Sequence, residues 1–170
     1  MVADERSEVV KRLVLLAFGV VLALVVAAPV GLAQSNGGAP EDASGSIIVN
    51  PGDYPGSCEF PFRLDFSGKG KTINLPDGGL ILTSPGLFVT VTNLQNDEQA
   101  TFNITGSSRK STSENGDVTT VLRGRNFAID PVVGTVIAIG RFSFVFDAEG
   151  NLIQSQTGNG RRIDVCELLS

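Results

Sequence analysis

The sequence predicts an all-β, antiparallel domain. Three observations carry this: apolar residues alternate at period two, Gly/Pro turn signals punctuate the chain every 8–12 residues or so, and no long stretch has helical periodicity. A small barrel of about eight strands is the expected architecture, with a β-sandwich as the runner-up. The clearest stretch is Thr135–Thr157, read as strand, tight turn and strand. Phe142, Phe144 and Phe146 share one parity, while Arg141, Ser143 and Asp147 take the other. Asp147, Gly150 and Asn151 supply the turn, since Gly and Asn tolerate positive φ.

Taken in order, residues 1–12 are charged and end in Lys11-Arg12, ahead of an unbroken apolar run from Leu13 to Ala28. Pro29 follows, then Gly31-Leu32-Ala33 before Gln34. Basic, apolar and small-x-small regions in that order predict a helical signal peptide over 1–33, cleaved between Ala33 and Gln34. The alternative is an uncleaved membrane anchor, but the run falls short of the ~20 residues that span a bilayer unless Pro29 is crossed. Export to the extracellular space is the expected location, with membrane contact only through this segment before cleavage. Residues 34–46, QSNGGAPEDASGS, read as a flexible linker, and 47–170 as the all-β domain.

The net charge is −5. With no long basic run, this excludes nucleic acid and anionic membranes as natural partners.

Ile47-Ile48-Val49 opens the domain. Next, Cys58, Phe60, Phe62, Leu64 and Phe66 alternate with Glu59, Pro61, Arg63 and Asp65, which predicts a strand with one dry face. Pro61 lacks an N–H, so an edge or a bulge is expected there. Short strands follow over 71–75, 80–83, 87–94, 99–105 and 117–125, with Ser107–Gly116 read as a polar loop. Gly140 admits two readings. A bulge would bring Ile137, Ile139 and the three phenylalanines to one face. Otherwise the strand is buried on both faces over its first half.

Cys58 and Cys166 are the only cysteines. In an exported chain they are expected to form one disulfide that staples the domain's ends. The sequence has no His, which removes the commonest general base, and two Cys cannot complete a four-thiolate zinc site. No metal and no cofactor is expected. Gly68-Lys69-Gly70-Lys71-Thr72 lacks the upstream glycine and the following helix of a phosphate loop. Ser107-x-x-Lys110 lies in a predicted loop without the companion motifs of acyl-enzymes. Asp147–Asn151 is too short for a calcium loop. Asn103-Ile104-Thr105 is a glycosylation sequon, meaningful only in a host that glycosylates. Arg123, Arg125 and Arg141 share outward parities and could form an anion patch, though pairing with surface acids is the commoner outcome. Asp65, Asp130, Glu59 and Tyr54 are the other acid–base groups, and no spacing pairs them.

From Cys58 onward the chain resembles a group of uncharacterised secreted proteins of actinobacteria. The resemblance lies in Ser67–Thr72, Ser84–Leu87, Asn103–Gly106, Glu114–Asp117, Phe144–Asn151 and Gly158–Cys166. It implies export and a shared fold, and no activity or site residue.

Three functions fit. The first is a non-catalytic extracellular or cell-envelope binding or structural domain. The second is a barrel holding a small apolar ligand against Phe60, Phe62, Phe66, Phe142, Phe144 and Phe146, although rings of this kind more commonly just fill a core. The third is a barrel isomerase or cyclase, by analogy of fold alone. A cavity of several hundred Å³ would favour the second or third.

Overall fold

The computed structural model describes residues 38–170. The signal segment and its Ala33–Gln34 cleavage site lie outside the described residues. Eleven strands follow one another: β1 (Glu41–Asp42), β2 (Gly45–Val49), β3 (Phe62–Ser67), β4 (Lys69–Asn74), β5 (Leu80–Thr83), β6 (Phe88–Asn93), β7 (Gln99–Asn103), β8 (Gly106–Thr112), β9 (Val118–Asp130), β10 (Gly134–Phe146) and β11 (Leu152–Asp164). A single helical turn, α1 (Val165–Leu168), ends the domain, with Asp164 accepting the Glu167 N–H as its cap. β1 and the start of β2 fall within the segment read as linker.

The strands form two antiparallel sheets, ordered β1-β4-β5-β8-β9-β10-β11 and β2-β3-β6-β7. The barrel expectation is corrected here. β1 and β11 end the larger sheet and β2 and β7 the smaller, so no ladder closes on itself. A barrel requires one continuous ladder. Here β2, β3, β6 and β7 pair only with one another.

The alternation in β3 explains the main core. Phe62, Leu64 and Phe66 are buried, while Arg63 and Asp65 turn outward and pair at 2.8 Å. Across from them pack Phe127 and Ile137 of the larger sheet, with Val165 and Leu169 closing the end. Each buried Phe or Leu contributes roughly 1.5–3 kcal/mol. The strand expected from Cys58 begins only at Phe62. Pro61 stands just before it, where no ladder N–H is needed, and its carbonyl accepts the Leu94 N–H. β3 is therefore an interior strand rather than an edge. Cys58 is bonded to Cys166, with 5.4 Å between their Cα atoms. The bridge ties the run before β3 to α1.

Ser107–Thr112, expected as loop, is strand β8, paired with β5 and β9. Its Ser, Thr, Arg and Lys residues give no apolar alternation, and it forms because both neighbours supply ladders.

A second apolar cluster occupies the opposite face of the larger sheet: Leu122, Ala128, Val136, Ala138, Phe142 and Phe144. Gly140 causes no register shift with β9 or β11. Ile137 and Ile139 pack toward the first core, and Val136, Ala138, Phe142 and Phe144 toward the second. The first half of β10 is thus buried on both faces, as the second reading of Gly140 holds. The irregularity lies in β11 instead, between the partners of Ser143 and Phe146.

Gly140 has a different task. Gly106, Gly124, Gly140 and Gly160 are successive partners across β8, β9, β10 and β11. A Cβ on Gly140 would stand 2.4 Å from the Asn159 carbonyl oxygen, and one on Gly160 2.2 Å from that of Ile139. This row without side chains lets the long strands turn sharply, and the sheet curls around its second cluster.

Candidate functional site

The curl leaves a cavity of about 500 Å³ on the inner face of the larger sheet. Register places its lining. Leu80, Lys110, Thr120 and Phe144 are successive cross-strand partners from β5 to β10. Thr112, Val118 and Phe146 form the next row. Beside Phe144 the next strand, β11, adds Gln156, and beyond the glycine row the sheet comes round to add Ala128 and Asp130. Phe144 and Phe146 meet edge to face with centroids 5.7 Å apart, a favourable aromatic geometry.

Few polar groups interrupt this wall. Lys110 is half-buried, and burial pushes its ammonium pKa below the ordinary lysine value. Its ammonium makes no hydrogen bond or ion pair with another described residue. Gln156 is only 4% exposed. Its Oε1 accepts from Arg162 Nε at 2.7 Å and its backbone carbonyl from Arg162 Nη2 at 2.8 Å. Its Nε2 is buried with no acceptor.

The carboxylates are already engaged. Asp130 is 4% exposed and accepts three backbone N–H groups: Val132 and Val133 at Oδ1, and Gln156 at Oδ2. Asp147 accepts the side-chain and backbone N–H groups of Asn151, which hold its carboxyl below the usual range. Glu149 is exposed in the same β10–β11 turn.

Of the six phenylalanines read as wall candidates, Phe144 and Phe146 line the cavity. Phe142 lies in the adjoining cluster beneath Arg162, whose guanidinium carbon is 4.4 Å from its ring centroid. Phe60, Phe62 and Phe66 belong to the core between the sheets. Neither Lys110, weighed in the sequence only as the lysine of a Ser-x-x-Lys motif, nor Gln156 was expected in the wall. Only the β8–β9–β10 register brings Lys110 into line with Phe144, and only the β11 irregularity and the fold-back beyond it bury Gln156.

The outer face carries a second cluster. Arg123 and Arg141 are direct cross-strand partners, and Arg125 and Arg161 flank Ile139 on either side. All four are exposed, and none is ion-paired with another described residue. The ion pairs of the described residues join Arg63 to Asp65 and Arg109 to Asp77. Among the described residues no group of three His, Cys, Asp or Glu could hold a metal, and no helix is long and apolar enough to cross a membrane.

No protein-family model, curated protein or solved structure matches the chain. The site therefore rests on its own chemistry. That chemistry is a largely apolar hollow whose wall also carries the Lys110 ammonium and the hydroxyls of Thr112 and Thr120.

Proposed function

We propose that the domain is an exported binding protein that holds a small apolar ligand in the hollow of its curled sheet. The supporting observation is the cavity itself. Its volume of about 500 Å³ falls in the range typical of small-molecule sites, ~300–1,000 Å³. Leu80, Val118, Ala128, Phe144 and Phe146 make its wall largely apolar. The two sheets are read as a sandwich whose larger member has curled, which puts the ligand on that sheet's inner face rather than between the sheets. The disulfide is consistent with an extracellular location. Export by a cleaved signal peptide, and kinship with secreted actinobacterial proteins, belong to the same proposal.

Uptake of N-phenyl-1-naphthylamine, a neutral fluorophore that brightens in apolar surroundings, tests this. One molecule per chain should bind, and Val118→Trp, which fills the hollow, should abolish uptake while the thermal melt stays cooperative. No saturable uptake, or uptake indifferent to Val118→Trp in a folded protein, would overturn the reading.

The arginine face favours a second reading, docking to an anionic cell-envelope polymer. Retention on immobilised heparin should then fall with salt and be lost in an Arg123→Ser/Arg141→Ser variant. Retention unchanged by that variant would remove this reading.

A further inference from the structure

We infer that a phosphodiester-linked polyol polymer lies across the strands on the outer face of the larger sheet, along one cross-strand row that runs from Lys71 to Asn159. The inference rests on reading the arginine face as a docking surface, and it names the polymer and its path. It is independent of the cavity.

Register builds the row. Lys71, Thr83, Ser107, Arg123, Arg141 and Asn159 are successive partners on β4, β5, β8, β9, β10 and β11. Cross-strand partners share a face. The row therefore crosses five strand spacings, roughly 24 Å, on the side away from Lys110 and Phe144. All six side chains carry a hydrogen-bonding group, and three carry a positive charge. Arg123, Arg141 and Asn159 are exposed, and Lys71, Thr83 and Ser107 are half-buried.

The charge on this row is not answered within the sheet. Residues two places along a strand share its face, and none of those flanking the row is Asp or Glu. Asp77 is taken by Arg109 at 3.1 Å. Asp42 stands opposite Lys69 at the sheet's end and is engaged by Ser44. Lys71 Nζ donates to the Gly38 carbonyl, a neutral group that leaves its charge uncompensated. The chain as a whole carries −5, so the rest of the surface disfavours a polyanion and confines it to this face. The order of groups along the row selects the polymer. Arg123 and Arg141 stand directly opposite each other, and two planar forks side by side suit the oxygens of a phosphate. Thr83 and Ser107 separate this pair from Lys71, by three strand spacings or roughly 14 Å. Their hydroxyls both donate and accept, as does the Asn159 amide. That suits polyol hydroxyls between charges better than an unbroken run of anions.

The test is fluorescence anisotropy of end-labelled poly(ribitol phosphate) titrated with wild-type protein and with two variants that each remove one charge. Lys71→Ser removes the far end of the row. Arg161→Ser removes a cation off the row but nearer the arginine pair, one strand across and two residues along from Arg141, roughly 8 Å. A polymer lying along the row should lose about fivefold in affinity with Lys71→Ser, the upper worth of an exposed ion pair, and less than about twofold with Arg161→Ser. A diffuse patch ranks the two the other way. The polyol polymer should also bind at least as tightly as inorganic polyphosphate of equal length, which is more densely charged. Equal or reversed effects of the two variants in folded proteins, or tighter binding of inorganic polyphosphate, would overturn the inference. Retention of heparin through Arg123 and Arg141 without binding of poly(ribitol phosphate) would overturn it while leaving the docking reading intact. Failure of heparin and both phosphate polymers to bind would overturn the docking reading as well.

Discussion

Arg162 is folded back onto Gln156 of its own strand, Nε donating to Oε1 at 2.7 Å and Nη2 to the backbone carbonyl at 2.8 Å. Six residues of straight strand span roughly 20 Å, beyond the reach of these side chains. The contact exists because β11 turns at Gly158 and Gly160, which have φ of 144° and 149°. The same guanidinium lies over the Phe142 ring. Arg162 thus joins a cavity residue to the second core. Arg162→Ala should cost about 2 kcal/mol from the hydrogen bonds and the cation–π contact together. Arg162→Lys keeps the charge but not the planar fork and should fall between. Urea unfolding curves of the three proteins check the order.

The glycine row makes a sharper expectation. Gly160→Ala combines a left-handed φ with a Cβ 2.2 Å from the Ile139 carbonyl oxygen. Gly78 also has positive φ, at 77°, but a Cβ there meets nothing within 4 Å. Gly78→Ala should therefore cost only the backbone term, about 1–2 kcal/mol. Gly160→Ala should cost more than about 3 kcal/mol, since a packed sheet has to open as well. Comparable denaturation midpoints for the two variants would mean that the curl does not depend on the missing side chains.

Reduction of Cys58–Cys166 releases a constraint between residues 108 apart. The chain-entropy estimate for a loop of that size is about 4.7 kcal/mol, an upper value once native-state strain is counted. The expected result is a large drop in the denaturation midpoint with reductant, reproduced by the Cys58→Ser/Cys166→Ser double variant. If reductant shifts the wild type and the double variant equally, the effect does not come from the bridge.

The β3 alternation, the Phe142–Phe146 face, the Asp147–Asn151 turn and the cysteine pairing were all legible, because each depends on local parity or simple counting. The sheet partition was not. Whether Phe62 and Phe144 share one interior depends on which strands pair, and that is decided by contacts far apart in the chain. Gly140 was visible as an anomaly, but its meaning required Gly124 and Gly160 to fall beside it. Ser107–Thr112 offered no alternation, so β8 was missed, and with it the place of Lys110 in the wall. The half of the site made of apolar residues left a periodic trace, whereas the polar half is a product of register.

Lys110 gives a pH dependence with a definite sign. Its folded pKa lies below the ordinary 10.5, so between the two values the unfolded chain binds the proton more readily. The lysine's contribution therefore improves as pH rises through that window and is least favourable below it, where the buried ammonium is charged. Lys110→Met should be more stable than wild type at neutral pH, by about 1 kcal/mol or less after solvent screening. The gap should close as the pH passes 10.5. Tyr54, whose pKa is raised by burial and by Asp53, changes stability in the opposite direction at high pH. The difference between wild type and variant, rather than either curve alone, is the quantity to follow by thermal melts. A gap independent of pH would show that packing, not charge, sets the effect.

Arg123 and Arg141 face each other across β9 and β10 with no acid among their cross-strand neighbours. Like charges directly opposite on a sheet are destabilising by roughly 0.2–1 kcal/mol. Arg141→Thr, which also suits a strand better, should therefore stabilise the domain by an amount in that range at low ionic strength. Exposed charges a few ångströms apart are screened progressively by salt, so the gain should shrink as sodium chloride rises toward ~1 M. Melting temperatures of both proteins across a salt series separate the two components. The salt-dependent part reports repulsion between the guanidinium groups, and the residual at high salt reports strand propensity. A gain that does not respond to salt would leave the arginines with no electrostatic conflict to relieve. It would also take away the uncompensated positive charge on which docking of an anionic polymer depends.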